Sequence, residues 1–349
     1  VKIVTNRSVR AADGLRGRFY YVVGAVLLFA CCVVSVCVGR LEVGAWRALE
    51  IVFNAIANPG FELTNVDERI VLLIRAPRTL FAALAGAGLA AAGAALQAIF
   101  RNPLVSPQVL GVSQGAALGG AFSILLGLWG LPLILLVSLG AILSLILVAM
   151  LARVGGRTQM LTIVLSGMVV GALASALVSL VQMFADPQSS LPAIVFWLMA
   201  SFSTMTWERL MTGAPGLILG TAFIVGMRFR LNVLALGEAE AKTLGANPER
   251  ERWIIFMVVA VIVGSQVAVS GIVGWVGLVI PHLCRLLVGE DNRRLLPACM
   301  IFGAAYMVMI DTVARTATAA EIPLGVLTAI IGAPVFAVLL RQHQSRLPR

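Results

Sequence analysis

Asp311 is the one carboxylate that falls well inside an apolar run of this sequence, and Arg315 follows it four residues later. Two chemistries suit that spacing. A carboxylate within a membrane span can relay protons and couple transport to an ion gradient. An acidic residue one helical turn before a basic one can also form a local ion pair, in the favourable order. With no second carboxylate deep in a span to hand a proton on, the ion pair is the simpler reading.

Other chemistry-bearing residues are sparse. Cys31, Cys32, Cys37, Cys284 and Cys299 show no metal-binding or disulfide spacing and read as small apolar packing residues. His282 and His343 are the only histidines, so the paired ligands a haem-bearing subunit needs within its spans are missing. No histidine–carboxylate or cysteine–histidine grouping offers a catalytic cluster, so no enzyme activity is expected. The chain has two lysines, Lys2 and Lys242, neither preceded by glycine, and no G-x-x-x-x-G-K-[ST] motif. It therefore lacks a P-loop to cradle nucleotide phosphates. Any ATP used must be bound, with its magnesium, by another subunit, and no cofactor is expected on this chain.

The elements that must position these residues are membrane helices. Of 349 residues, 60% are hydrophobic and 12% charged, with mean hydropathy +0.99. Apolar runs recur near 19–39, 79–99, 109–128, 131–152, 160–184, 210–227, 254–270, 272–288, 296–314 and 324–340. Each is long enough to cross about 30 Å of hydrocarbon. Ten spans are expected, including a short pair that meets at Val269-Ser-Gly271. The stretch from Leu191 to Thr204 is apolar but too short to cross, and is placed as a half-helix outside the membrane core. Arg7, Arg10, Arg16 and Arg18 before the first run suggest a signal peptide, but the run is long and lacks a small-x-small cleavage site. An uncleaved first helix is expected. The chain is thus divided into a cytoplasmic tail over 1–18, one transmembrane domain over 19–341, and a cytoplasmic tail over 342–349.

A net charge of +10 and a pI near 10.4 would point to nucleic acid in a soluble protein. Here most of the 26 Lys and Arg fall on alternate loops, the ones on the N-terminal side. That is the positive-inside pattern, which places both termini in the cytoplasm and leaves no reason to expect a nucleic-acid partner. Small residues thread the spans at intervals of four: Gly111, Gly115 and Gly119; Ala82, Gly86 and Ala90; Gly167 and Gly171. Such ridges let helix backbones approach closely.

Two connectors stand out. Between the second and third runs, Arg101-Asn-Pro-Leu-Val-Ser-Pro-Gln108 is a polar break with two prolines. Lipid does not tolerate unsatisfied backbone, so the break is a turn at a membrane face or a re-entrant segment lining a pathway. Transport is the first function this suggests. Between the sixth and seventh runs, residues 234–252 read as two short capped helices. Gly245 is placed to end the first, and Asn247 with Pro248 to start the second. A rigid knob of this kind suits docking of a cytoplasmic partner, or a lid.

The motifs then line up. Arg75-Ala-Pro-Arg78 precedes the second span, and Gln97-x-x-x-Arg101-Asn-Pro-Leu104 leads into Leu110-Gly-Val-Ser-Gln-Gly-Ala116. Leu236-Gly-Glu-x-Ala-x-x-Leu-Gly245 marks the knob. Gly277-Leu-Val-Ile-Pro-His-Leu283, Arg293-Arg-Leu-Leu-Pro297, Asp311-Thr-Val-Ala-Arg315 and Leu324-Gly-Val-Leu-Thr-Ala-x-x-Gly-Ala-Pro-Val-Phe336 close the series. In order and spacing, from about residue 70 to 340, the set resembles the FecCD-type permeases of bacterial type II ABC importers, carriers of ferric siderophores, haem or cobalamin.

The resemblance implies an all-α polytopic protein with the type II ABC importer permease fold, working as a homodimer in the inner membrane. It implies two cytoplasmic ATPase subunits docked on the knob through Leu236, Gly237, Glu238, Ala241, Leu244 and Gly245. A periplasmic binding protein would meet Arg75, Arg78 and Arg315. Asn102, Pro103 and Leu104, with Thr158, Gln159 and Thr162, would form the cytoplasmic gate. Met168, Ser175, Ser179, Gln182 and Met183 on span five, with Thr328 on span ten, are the pathway candidates. No haem-ligating cluster marks the cargo, so an iron chelate or related macrocycle is expected, and an oxyanion such as molybdate, carried by some relatives, remains the alternative.

Overall fold

The computed structural model describes residues 5–58, 61–154, 157–158 and 160–344. Fifteen α-helices follow in order: α1 (Thr5–Cys37), α2 (Ala45–Ala57), α3 (Val66–Arg69), α4 (Ala76–Phe100), α5 (Val112–Leu125), α6 (Leu131–Ala152), α7 (Met160–Phe184), α8 (Ser190–Leu198), α9 (Trp207–Gly226), α10 (Arg228–Leu236), α11 (Glu238–Thr243), α12 (Pro248–Ser270), α13 (Val276–Val288), α14 (Asn292–Thr316) and α15 (Leu324–Gln344). A π-helical stretch, Ile70–Arg75, joins α3 to α4 without a break. The short antiparallel pair Arg153–Val154 and Arg157–Thr158 is the one strand pairing among the described residues.

Seven helices are long and apolar enough to cross a membrane, and three shorter apolar ones, Val112–Leu125, Val276–Val288 and Leu324–Val338, bring the described set to the expected ten. The apolar runs and the helices coincide closely, including the short pair separated at Gly271, whose φ of +78° and contact with the Trp197 carbonyl suit only glycine. Helix α1 begins at Thr5, so the segment expected as a separate tail is a helical extension of the first span. At the other terminus α15 runs on to Gln344.

The most enclosed helix is α4, which packs on α14, α9 and α13. Small residues permit this. A Cβ added at Gly86 would lie 2.2 Å from the Gly303 carbonyl oxygen, and one at Gly93 would lie 1.9 Å from that of Gly277. Gly115 and Gly119 meet Gly140 and Leu136 of α6, while Gly167 of α7 meets the Val109 carbonyl. The expected small-residue ridges are therefore the seams between α4 and α14, α5 and α6, and the start of α5 and α7. Phe81 and Phe202, edge-to-face at 5.3 Å, close the core near one end of the bundle.

The two ends of the bundle differ. At one end lie Arg75, the end of α14 and α8. Helix α8 is the half-helix expected from 191–204, ending six residues earlier at Leu198. Its Trp197 ring covers Gly120 of α5. Beyond it, the Leu324 and Gly325 amides of α15 donate to the Ala200 and Met199 carbonyls. At the other end lie the Arg101–Leu110 connector and the α10–α12 knob.

Candidate functional site

At the α10–α12 end, the knob is built by its punctuation. Gly237 holds φ +128°, where a Cβ would also strike the Glu240 carboxylate, and so turns α10 into α11. Helix α11 ends with the Gly245 amide donating to Lys242 O and the Ala246 amide to Ala241 O, around Gly245 at φ +78°. The Asn247 side chain accepts from the Arg250 amide and starts the next helix at Pro248. That next helix is α12 itself, running unbroken to Ser270. The knob is therefore α10 and α11 on the stub of a span, and not two free short helices. The cap residues were legible; the continuation follows because nothing between 249 and 270 breaks a helix.

Within the knob, Ala241 is wholly buried, while Leu236 and Leu244 are exposed by 54% and 61%. Lys242 Nζ sits 2.8 Å from Glu238 Oε1, and this hydrogen bond holds the Glu238 carboxyl below its ordinary range. The buried Arg252 lies 3.6 Å from the other Glu238 oxygen, which ties α11 to α12. Arg230 of α10 binds the buried Glu251. A cavity of about 390 Å³ opens beside these groups, lined by Phe100 and Arg101 at the end of α4, Met160 of α7, Gly237, Glu238 and Arg252.

The same cavity thus reaches the connector expected as a gate. Arg101 ends α4 in the left-handed region at φ +50°, an unusual place for a non-glycine residue. The Asn102 side-chain oxygen accepts the Leu104 amide at 2.9 Å, a local Asx turn with Pro103 at its centre. Asn102 and Leu104 are exposed and Pro103 half-buried. Gln97, one turn earlier, donates to the Gly277 and Leu278 carbonyls and accepts from Arg285, so α4 is bound to α13 beneath the turn. Thr162 is half-buried on α7 and Thr158 ends the short strand pair. Gln159 lies outside the described residues.

The pathway candidates of α7 share one face. Met168, Ser175, Ser179 and Met183 are exposed and Gln182 half-exposed, while Ile163, Ser166, Gly167, Val170, Gly171, Ala174 and Val178 are buried against the rest of the chain. Thr328 departs from expectation. It is fully buried on α15, where its hydroxyl donates to Gly325 O at 3.2 Å, so it lines nothing outside the subunit.

The three arginines expected on the outer face do cluster at one end, but they do not present their charge. All are buried. Arg78 grips Asp311 at 2.8–3.0 Å and Glu321 at 3.0 Å. Arg315 donates to the Ser35 carbonyl and hydroxyl, and its Nε lies 3.8 Å from Asp311. Arg75 donates to the carbonyls of Val36 and Cys37 at the end of α1 and of Leu41 just beyond it. The arginines that the resemblance assigns to docking thus spend their donors inside the subunit, where the cost of leaving a guanidinium unpaired is met by the chain's own oxygens. The Asp311–Arg315 pair is real but loose, and Arg78 holds the carboxylate. Glu321 and Ser35 were missed; the signal for Glu321 was an acid in the short loop between spans nine and ten, on the side of Arg78.

Known proteins are similar to this chain in sequence and in fold. The profile of the FecCD transport family matches residues 27–342. The molybdate import system permease protein MolB of Haemophilus influenzae is 42% identical, over 90% of this chain and 93% of its own. The hemin transport system permease protein HmuU of Yersinia pestis is 36% identical, over 86% and 91%. Among solved structures, an inward-facing conformation of a metal-chelate type ABC transporter matches with a TM-score of 0.82 at 39% identity, covering 92% of this chain and 98% of that one. A profile matched from the first span to the last helix, on a bundle of the same shape, establishes that this chain belongs to the FecCD transport family, the multi-pass permeases of ABC importers.

Proposed function

We propose that this chain is the permease subunit of an ATP-driven importer that takes a metal chelate (an iron chelate, haem or a corrinoid) from a binding protein and passes it across the inner membrane. The reading includes a second copy of the chain, two cytoplasmic ATPases on the knob, and both termini in the cytoplasm. The observation that carries it is the exposed α7 face. Ser175, Ser179 and Gln182 stand on the open side of a span whose other side is packed against the subunit. Polar side chains facing lipid gain nothing, whereas facing a twin across a water-filled path they are useful. The stripe from Met168 to Met183 is neutral and, with a methionine at each end, adaptable. It suits a bulky cargo that passes without being held.

On this reading Leu236 and Leu244 are the apolar contacts for the ATPase, and the Asn102–Leu104 turn closes the inner mouth. Arg75, Arg78 and Arg315 shape the face that meets the binding protein by fixing its loops. A second reading, molybdate as cargo, is favoured by the 42% identity to MolB.

Proteoliposomes carrying the chain, its ATPase and its binding protein separate these cargoes. Uptake of ferric siderophore, haem or cobalamin that needs ATP supports the first reading. Uptake of molybdate alone selects the second. Uptake driven by an ion gradient without the ATPase overturns both.

A further inference from the structure

Helix α2 belongs to no span, yet it carries Trp46, the most exposed large hydrophobic side chain among the described residues. It has three faces. Ala48 and Ile51 are buried, at 0% and 1% exposure, in a small cluster with Val43, Ile70 and Val71. At about 100° per residue, Trp46, Leu49, Phe53 and Ile56 fall within a quarter turn of one another, clear of that cluster. Trp46, Phe53 and Ile56 are exposed by 82%, 70% and 79%. Arg47, Glu50 and Asn54 share the remaining face, where Arg47 Nη1 meets Glu50 Oε2 at 3.0 Å.

We propose that α2 lies in the plane of the membrane–water boundary, with Trp46, Leu49, Phe53 and Ile56 seated among lipid acyl chains and Arg47, Glu50 and Asn54 turned to water. A helix bathed in water on both open faces would gain nothing from this partition, whereas one at a lipid surface requires it. Trp46 at its N-terminal end suits the headgroup level, where tryptophan is enriched. The occupant is lipid because the stripe continues a lipid-facing surface. Val34 of α1, then Val38 and Leu41 on the way to α2, are exposed by 49%, 44% and 55%, and only seven residues separate Cys37 from Ala45. Arg75 then links the lipid seat to the bundle, since its guanidinium holds the Val36, Cys37 and Leu41 carbonyls that form the corner between α1 and α2.

The test uses the full chain in nanodiscs of phosphatidylethanolamine and phosphatidylglycerol, one protein copy per disc. Cysteines are placed at four α2 positions (Phe53→Cys, Ile56→Cys, Arg47→Cys, Asn54→Cys) and carry an environment-sensitive fluorophore; labelling of the native cysteines in the unsubstituted protein sets the background. Lipid bearing a nitroxide near the headgroup end of its acyl chain should quench labels at 53 and 56 about threefold more than labels at 47 and 54, with aqueous iodide giving the reverse order. Equal iodide quenching at all four positions would overturn the proposal. So would protection of 53 and 56 that arises only in discs holding two copies, which would make the stripe a contact between copies of the chain.

Discussion

Arg78 and Asp311 meet in the driest part of the arginine network, with the guanidinium Nε and Nη2 on the carboxylate at 2.8–3.0 Å and the aspartate wholly buried. The adjoining Nη1–Nη2 edge of the same guanidinium meets Glu321 at 3.0 Å, so Nη2 serves both carboxylates, and the Glu321 side chain is 24% exposed. One arginine therefore joins α4, α14 and the loop before α15. Breaking a buried pair from one side strands the other charge, at about 3–5 kcal/mol. A partly solvated pair is worth about 1 kcal/mol or less. Asp311→Asn should therefore lower the thermal midpoint of the purified protein far more than Glu321→Gln. Equal losses in a thermal-shift assay would show that Asp311 is not the anchor.

Gly93 is expected to tolerate no side chain. Its added Cβ would meet the Gly277 carbonyl oxygen, a backbone atom that cannot rotate away, at 1.9 Å. Gly93→Ala should destabilise the bundle by about 1–3 kcal/mol or more through overpacking. Gly226→Ala, with nothing within 4 Å of its added Cβ, should stay within about 0.5 kcal/mol of the parent. Thermal unfolding of the two variants side by side checks the contrast.

On the knob, exposure separates contact from scaffold. Leu236→Asp with Leu244→Asp should remove co-purification with the ATPase while leaving the thermal midpoint within a few degrees, since both side chains are open. Ala241→Leu, at a fully buried position, should lower the midpoint. A Leu236/Leu244 double variant that still holds its ATPase stoichiometrically would remove the docking role from these leucines.

Asp291 predicts a pH dependence at the start of α14. Hydrogen bonds from Arg293 and Asn232 hold its carboxyl down at about 2. A depressed carboxylate stabilises the fold above its ordinary value near 4 and loses that contribution as pH falls through about 2. Asn also caps helices well, so Asp291→Asn removes the charge while keeping the cap. The variant should be less stable than the parent by about 1 kcal/mol or less at neutral pH, the group being partly open to water. The gap should close between about pH 4 and pH 2. A gap independent of pH would place the effect outside this carboxylate.

What the sequence made legible follows from period and punctuation. All ten apolar helices sat where runs of about 20 apolar residues or short Gly-bounded runs placed them, and the Gly245, Asn247 and Pro248 caps were readable because capping is local chemistry. The glycine ridges announced close seams, but their partners, such as Gly93 with Gly277, depend on tertiary packing that no local pattern encodes. The arginines' partners were hidden for the same reason. Apart from the Asp311–Arg315 pair, whose spacing shows it, they come from distant parts of the chain: Ser35, Leu41 and Glu321. Helix α2 escaped because its 13 residues carry a stripe too short for a span and shared with charges. Thr328 was placed on the right helix and the wrong face.

The central claim, that the open face of α7 lines an ATP-driven path, is tested most directly by blocking that face during transport. Ser175→Cys and Ser179→Cys, and as a control Ile218→Cys on the exposed side of α9 (50% exposed), are reconstituted with the ATPase and binding protein and treated with a membrane-impermeant thiol reagent. The account predicts loss of at least about tenfold in ATP-dependent uptake for the two α7 variants, and none for the α9 control or the unsubstituted protein. Uptake that survives modification at both serines, with labelling confirmed complete by mass, would contradict it.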